Sequence, residues 1–182
     1  MTYNGVLGTQ QFLDKQIVDR THPAIIKGMA FRQDGRSLPR GRIVAKDKNG
    51  AMAAYEPALA SAGTWAATTA VVLGALKLPT VGNDHYYRCK TGGTTGSTQP
   101  TWPTTAAATV TDGTVVWEEA GIIGVNDLTG GGVLADAIDT LVESVGPVIR
   151  HGTVVRENLD TAGASSAVAD IENLEAVGVF AI

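Results

Sequence analysis

The sequence predicts a mainly β fold, on three observations. Gly and Pro together supply 29 of the 182 residues, threonine is dense between Thr91 and Thr114, and apolar residues fall in short runs bounded by turn residues. Such a chain builds many short strands joined by tight turns. With 44% hydrophobic content it is long enough to bury one sizeable core or two small ones.

Residues 1–22 scatter Tyr3, Val6, Leu7, Phe12, Leu13, Ile17 and Val18 among Gly5, Gly8, Gln10 and Gln11 without a sustained period. This stretch reads as an extended arm that orders on contact with a partner, with a short helix over 10–18 as the alternative. From Pro23 the texture changes. Ala24 to Phe31 reads as a strand, Gln33 to Arg36 as a turn, Arg42 to Lys46 as a second strand, and Asp47-Lys-Asn-Gly50 carries the Asn-Gly turn signal before Ala51 to Tyr55. Together these predict a β-meander, followed by an Ala-rich junction over Glu56 to Gly63.

The stretch from Trp65 to Glu119, bounded more generously as 62–121, reads as a small β module set into a different domain, so that 23–61 and 122–182 become two halves of one core. It predicts an apolar segment Trp65 to Leu78, a strand at His85 to Cys89, and another over Thr109 to Trp117 around the turn Thr111-Asp-Gly113. Between them Thr91 to Pro103 is too rich in Gly and Pro for a regular element and is expected to be a loop pinned by Trp102. All three tryptophans and two of the four tyrosines lie here, consistent with a small core built on aromatics.

After Ile122 to Val125 and the Gly130-Gly-Gly132 break, strands are predicted at Val133 to Ile138 and Pro147 to Val155. Val168, Ile171 and Leu174, with Ser165 or Ser166 as N-cap and Gly178 past the end, predict a helix of about three turns. A strand-like tail, Val179 to Ile182, follows.

No catalytic constellation emerges, and the chain reads as a non-enzyme without a cofactor. Thr91-Gly-Gly-Thr-Thr-Gly96 lacks the Lys and the following helix of a phosphate loop. His22, His85 and His151 have no ligand partner at helical spacing, so each reads as structural. Cys89 is the single cysteine, which excludes an intrachain disulfide and reads as a small core residue. Asp136 with Asp139, and Glu118 with Glu119, read as solvated faces. Trp65, Tyr86, Tyr87, Trp102 and Trp117 invite a flat aromatic surface for sugar rings, although at least two must be core in so small a module. There is no leader pattern and no apolar run of bilayer length, so neither an oxidising compartment nor a membrane partner is expected.

Charge is unevenly placed. Residues 1–46 hold eight Lys/Arg against three Asp, whereas residues 47–182 hold six against fifteen acidic groups. A basic leading segment could lie along an acidic protein surface, or both regions could be ordinary solvated faces. Without an aromatic-interleaved basic patch, nucleic acid is not an expected partner.

Leu38-Pro-Arg-Gly-Arg-Ile-Val-Ala-Lys-Asp47, Gly132-Val-Leu-Ala-Asp-Ala-Ile-Asp139, Val148-Ile-Arg-His-Gly-Thr153 and Ile171 to Phe180, taken together and in order, resemble the head decoration proteins of lambda-like tailed bacteriophages. The resemblance implies a small β-tulip-like domain with a C-terminal helix. It implies a homotrimer seated at threefold positions of the expanded phage head, on the outer virion surface, after assembly in the bacterial host cytoplasm. Its partner would be the major capsid protein, with Tyr3, Val6, Leu7, Phe12, Leu13, Ile17, Val18 and Arg20 as candidate contacts. The middle stretch is similar to small chitin-binding-type modules of phage structural proteins, which implies Trp65, Tyr86, Tyr87 and Trp102 as candidate contacts for a surface glycan. It departs from them in having Gly74-Ala75 where a Gly-Asp turn is expected. On this reading the module is an optional ornament projecting outward from shell and trimer axis. The rival readings are a carbohydrate-binding adhesin and a tail or fibre component.

Overall fold

The computed structural model describes residues 17–18 and 23–182. Four strands come first: β1 (Ile25–Ala30), β2 (Ser37–Leu38), β3 (Ile43–Lys46) and β4 (Met52–Ala54), followed by a 3-10 turn at Pro57–Ser61. Seven lie in the middle: β5 (Gly63–Thr64), β6 (Ala70–Val71), β7 (Leu76–Leu78), β8 (His85–Thr91), β9 (Gly93–Thr94), β10 (Thr109–Asp112) and β11 (Val115–Ile122). The rest are β12 (Gly132–Leu134), β13 (Ile138–Asp139), β14 (Val145–Val154), β15 (Asp160–Thr161), β16 (Ala164–Ser165) and β17 (Val179–Ala181), with one α-helix, α1 (Val168–Ala176), before β17. The fold is mainly β, as its composition predicts.

Two sheets divide these strands. The first runs β1-β14-β12-β3-β4, with β17 alongside β14, and draws only on strands before residue 63 and after residue 122. The second runs β10-β11-β8-β7-β5, and β6 pairs with β9 in a ribbon, so the middle strands pair only among themselves.

The expected meander over 24–55 is corrected. Only its last two strands form a hairpin, β3 with β4, closed by the Asp47 carboxylate, which accepts the Asn49 and Ala51 N–H groups at 2.9 and 3.0 Å. Between β1 and β3 the chain detours into β2, which pairs with β13, so β1 takes β14 as its neighbour, from Ile25 opposite His151 to Ala30 opposite Val145. The two ends of the first sheet then approach each other: Phe31 bridges Met52 of β4, and the Arg32 N–H donates to the Met52 carbonyl at 3.0 Å.

The central strands of the first sheet are buried on both faces, whereas β1 is largely exposed. Alternate residues divide cleanly, as the period of two requires. Val44, Met52, Leu134 and Val148 meet Phe31, Leu38 and Ile138 on one face. Ile43, Ala45, Val133 and Ile149 join a larger cluster on the other, with Ile171 and Leu174 of α1, Val179, Tyr55, Leu59 and Ile17. The larger cluster also contains Leu76, Tyr86 and Ala120 from the second sheet. Thus the middle segment is separate in its pairing yet shares a core with its flanks.

Helix α1 covers about two and a half turns. Its cap is Ala167, not a serine: the Asp170 carboxylate reaches back to accept the Ala167 N–H at 3.0 Å, while Ser166 is engaged by the Thr161 hydroxyl at 2.9 Å. Ile171 and Leu174 are buried, but Val168 overhangs the first turn and is exposed. Gly178 ends the helix at φ +90°, the left-handed turn expected there. Gly41 is under stricter constraint. At φ +84° its absent Cβ would stand 2.3 Å from the Asn158 carbonyl oxygen and 2.9 Å from Ile17 Cδ1, so any side chain there would displace the 17–18 segment.

Candidate functional site

The aromatics of the middle segment form a core of their own. Trp117 and Tyr87 are fully buried, Trp102 packs on Tyr87 with ring centroids 4.3 Å apart, and its edge meets Trp117 at 5.8 Å. At the centre lies Asp112, a buried carboxylate. One of its oxygens accepts the indole N–H groups of Trp65 (2.7 Å) and Trp117 (2.9 Å), and the other accepts the Gly96 N–H at 2.7 Å. The Tyr87 hydroxyl donates to the Pro103 carbonyl at 2.9 Å and accepts from Asn83 Nδ2 at 2.7 Å, which fixes the loop that the sequence expects Trp102 to pin. That loop also contributes the short strand β9, against expectation. Sequence reasoning treats Asp112 as a turn residue; a carboxylate one strand position from valines and near three indoles was the available signal.

The four candidate glycan contacts do not make one platform. Tyr86 and Tyr87 are neighbours on β8 and point to opposite faces, at 4% and 0% exposure. Tyr86 enters the core shared with the first sheet and Tyr87 the core of the second, so neither offers a ring face to a sugar. Trp65 and Trp102 are half-buried and pack against that second core.

Of the candidate capsid contacts, Tyr3, Val6, Leu7, Phe12, Leu13 and Arg20 lie outside the described residues, as does the alternative helix over 10–18. Ile17 and Val18 are placed, and they serve the chain's own fold. Ile17 is 3% exposed in the larger core, its carbonyl accepts the Val155 N–H at 2.9 Å, and Val18 bridges Val154 at the end of β14. Ile17 is thus buried within the chain's own core, and the half-buried Val18 makes an internal bridge.

The two sheets meet at a polar junction that the sequence does not reveal. Glu119, read there as half of a solvated pair, has 0% exposure. Its Oε1 is shared by Arg32 Nη2 and His85 Nδ1, each at 2.7 Å, and its Oε2 accepts the Ala107 N–H at 3.3 Å. Beside it Arg36 donates from Nη2 to the Ala120 carbonyl at 2.6 Å and forms an ion pair through Nε with Asp34 at 3.2 Å, while the Thr140 hydroxyl donates to Asp34 at 2.8 Å. A β-bulge between Glu119 and Gly121 marks where Ala120 offers this carbonyl. Arg88 pairs with Glu56, and Lys48 with Asp84, across the same boundary. Burial, which disfavours the phenolate, pushes the Tyr86 hydroxyl up to about 12 at this junction.

These pairs also account for the charge asymmetry. Arg32, Arg36, Arg40 and Arg42 of the basic leading region face Glu119, Asp34, Asp136 and Asp160 respectively. Within the described residues the excess of one region is largely answered inside the chain.

Other candidate chemistry is placed plainly. Cys89 is buried, its Sγ 3.2 Å from the Thr91 carbonyl, and burial holds its thiol above the ordinary range, which leaves it a poor nucleophile. His151 packs edge-on against Phe180 at 6.4 Å, whereas His22 lies outside the described residues. Among the described residues there is no cluster of three metal-ligating side chains, and no helix is long and apolar enough to cross a membrane. Exposed apolar side chains gather at β1 (Ile25, Ile26), at the start of β14 (Leu141, Val142, Val145) and at the turn between β6 and β7 (Val72, Leu73). No family model, no curated protein and no solved structure matches this chain.

Proposed function

We propose that the protein is a structural virion component, a trimeric decoration protein that cements the expanded head of a tailed bacteriophage. The observation that supports this is the position of β1. It is the first strand after residues 1–22, it lies at one end of the first sheet, and it leaves Ile25 and Ile26 about half exposed. A chain segment leading into such an edge is suited to recognition by strand addition, in which main-chain hydrogen bonds give affinity and alternate side chains give register. A clamp of this kind stabilises the shell because it binds the assembled lattice and not the free subunits. The inward placement of Tyr86 and Tyr87 speaks against the adhesin reading.

The test is electron microscopy of the purified protein added to undecorated expanded shells, beside a variant lacking residues 1–16. Because Ile17 and Val18 belong to the core, the truncation stops before them. Density at threefold sites for the full chain, reduced at least tenfold in occupancy for the truncated one, is the expected outcome. Bare threefold sites with the full chain, or equal occupancy for both proteins, would overturn the reading.

A further inference from the structure

We propose that the cavity between the two sheets binds one ordered water molecule, held by the Tyr86 hydroxyl and the polar side chains that follow β1. The inference does not depend on the proposed function. The cavity is lined by Arg32, Asp34, Arg36 and Thr140 from the first half of the body and by Tyr86 and Gly121 from the second sheet, and it measures about 10 Å³, the space one water requires. Size alone does not make a hydrated site. Empty cavities are apolar, and a water that stays needs two to four polar partners, which this one has.

The partners can be counted. Tyr86 is 4% exposed, and burial, which disfavours the phenolate, is the largest influence on its phenol. Among the described residues this hydroxyl meets no donor or acceptor, and a water in the cavity would supply both. The ring cannot swing away to find a partner elsewhere. A Cβ at Gly121 would lie 2.5 Å from the Tyr86 ring, so the glycine lets the backbone of β11 close directly over it. Across the cavity Arg32 and Arg36 each commit one Nη nitrogen, to Glu119 and to the Ala120 carbonyl, and keep further N–H groups; Asp34 keeps acceptor capacity beyond its bonds to Thr140 and Arg36.

Charge selects water over an anion. Two guanidinium groups would favour a halide, but Arg32 faces Glu119 at 2.7 Å and Arg36 faces Asp34 at 3.2 Å, so each positive charge is already balanced. A neutral molecule able both to donate and to accept fits what remains. It would link Tyr86 of β8 to the segment after β1, completing the polar contact between the two sheets.

A high-resolution crystal structure of the wild type, with a parallel crystal soaked in sodium bromide, decides the matter. The expected result is a single density peak within hydrogen-bond distance of Tyr86 Oη and of at least one of Arg32, Asp34 and Arg36, with no anomalous bromide signal. In Tyr86→Phe that peak should be lost or shifted. A dry cavity, a direct bond from Tyr86 Oη to a protein atom, a bromide peak, or a water unmoved in Tyr86→Phe would each overturn the proposal.

Discussion

Asp112 is a buried carboxylate, and its stability rests on three N–H donors, from Trp65 just past β5, Gly96 in the loop after β9 and Trp117 of β11. Removing it orphans the indoles of Trp65 and Trp117 and the Gly96 amide at once. With a charged acceptor worth roughly 1.5–3 kcal/mol per hydrogen bond, Asp112→Ala is expected to cost on the order of 3–5 kcal/mol, with Asp112→Asn between it and wild type. Urea unfolding followed by tryptophan fluorescence measures this directly, and an alanine variant of wild-type stability would refute the central role. Tyr86 gives a second test at this scale. Its pKa rises from 10.0 to about 12 on folding, so below pH 10 the protonated phenol contributes its full stability, which is lost as pH climbs through 12. Stability should therefore fall between pH 10 and 12, and Tyr86→Phe should flatten that fall; equal slopes would show that Tyr86 is not its source.

Strands and their connections differ in how far local sequence dictates them. The β3–β4 hairpin is legible because Asp47-Lys-Asn-Gly50 carries its own turn chemistry, and β8, β10, β11 and β14 are legible from β-branched and aromatic runs. The neighbour of β1 is not, because pairing is settled by where the chain goes next, here into the β2–β13 ribbon. The junction is illegible for a related reason: Glu118-Glu119 looks like a polar pair until strand alternation points Glu119 towards Arg32 and His85 while Glu118 meets Lys90. Ala167 as a cap is hidden too, since an alanine carries no capping side chain and Asp170 supplies the bond from within the helix. The connection between β1 and β11 can be tested energetically. Arg32→Met or Glu119→Met alone leaves a buried partner charge and should each cost about 3 kcal/mol, whereas the double variant should cost at least about 2 kcal/mol less than their sum. Strict additivity in denaturant titrations would mean that the pair does not couple.

For the molecule as a whole, two sheets with separate pairing meet through a shared apolar cluster and a line of ion pairs, so neither is a passenger of the other. The flanking segments form the first sheet without any middle strand in its ladder. That arrangement also has a temporal side. As the chain leaves the ribosome, the second sheet has all its strands by residue 122, while the first holds only β1, β3 and β4 and must wait for β12, β14 and β17. Non-local pairing is slow because loop closure precedes any reward. The second sheet should therefore acquire protection first during refolding, and pulsed hydrogen exchange should show the amides of β8 and β11 shielded before those of β3 and β14; the reverse order would refute this. Since Leu76, Tyr86 and Ala120 would by then be presented on a finished surface, the late strands of the first sheet would condense onto a template already built, and the middle of the chain would act as its own folding aid.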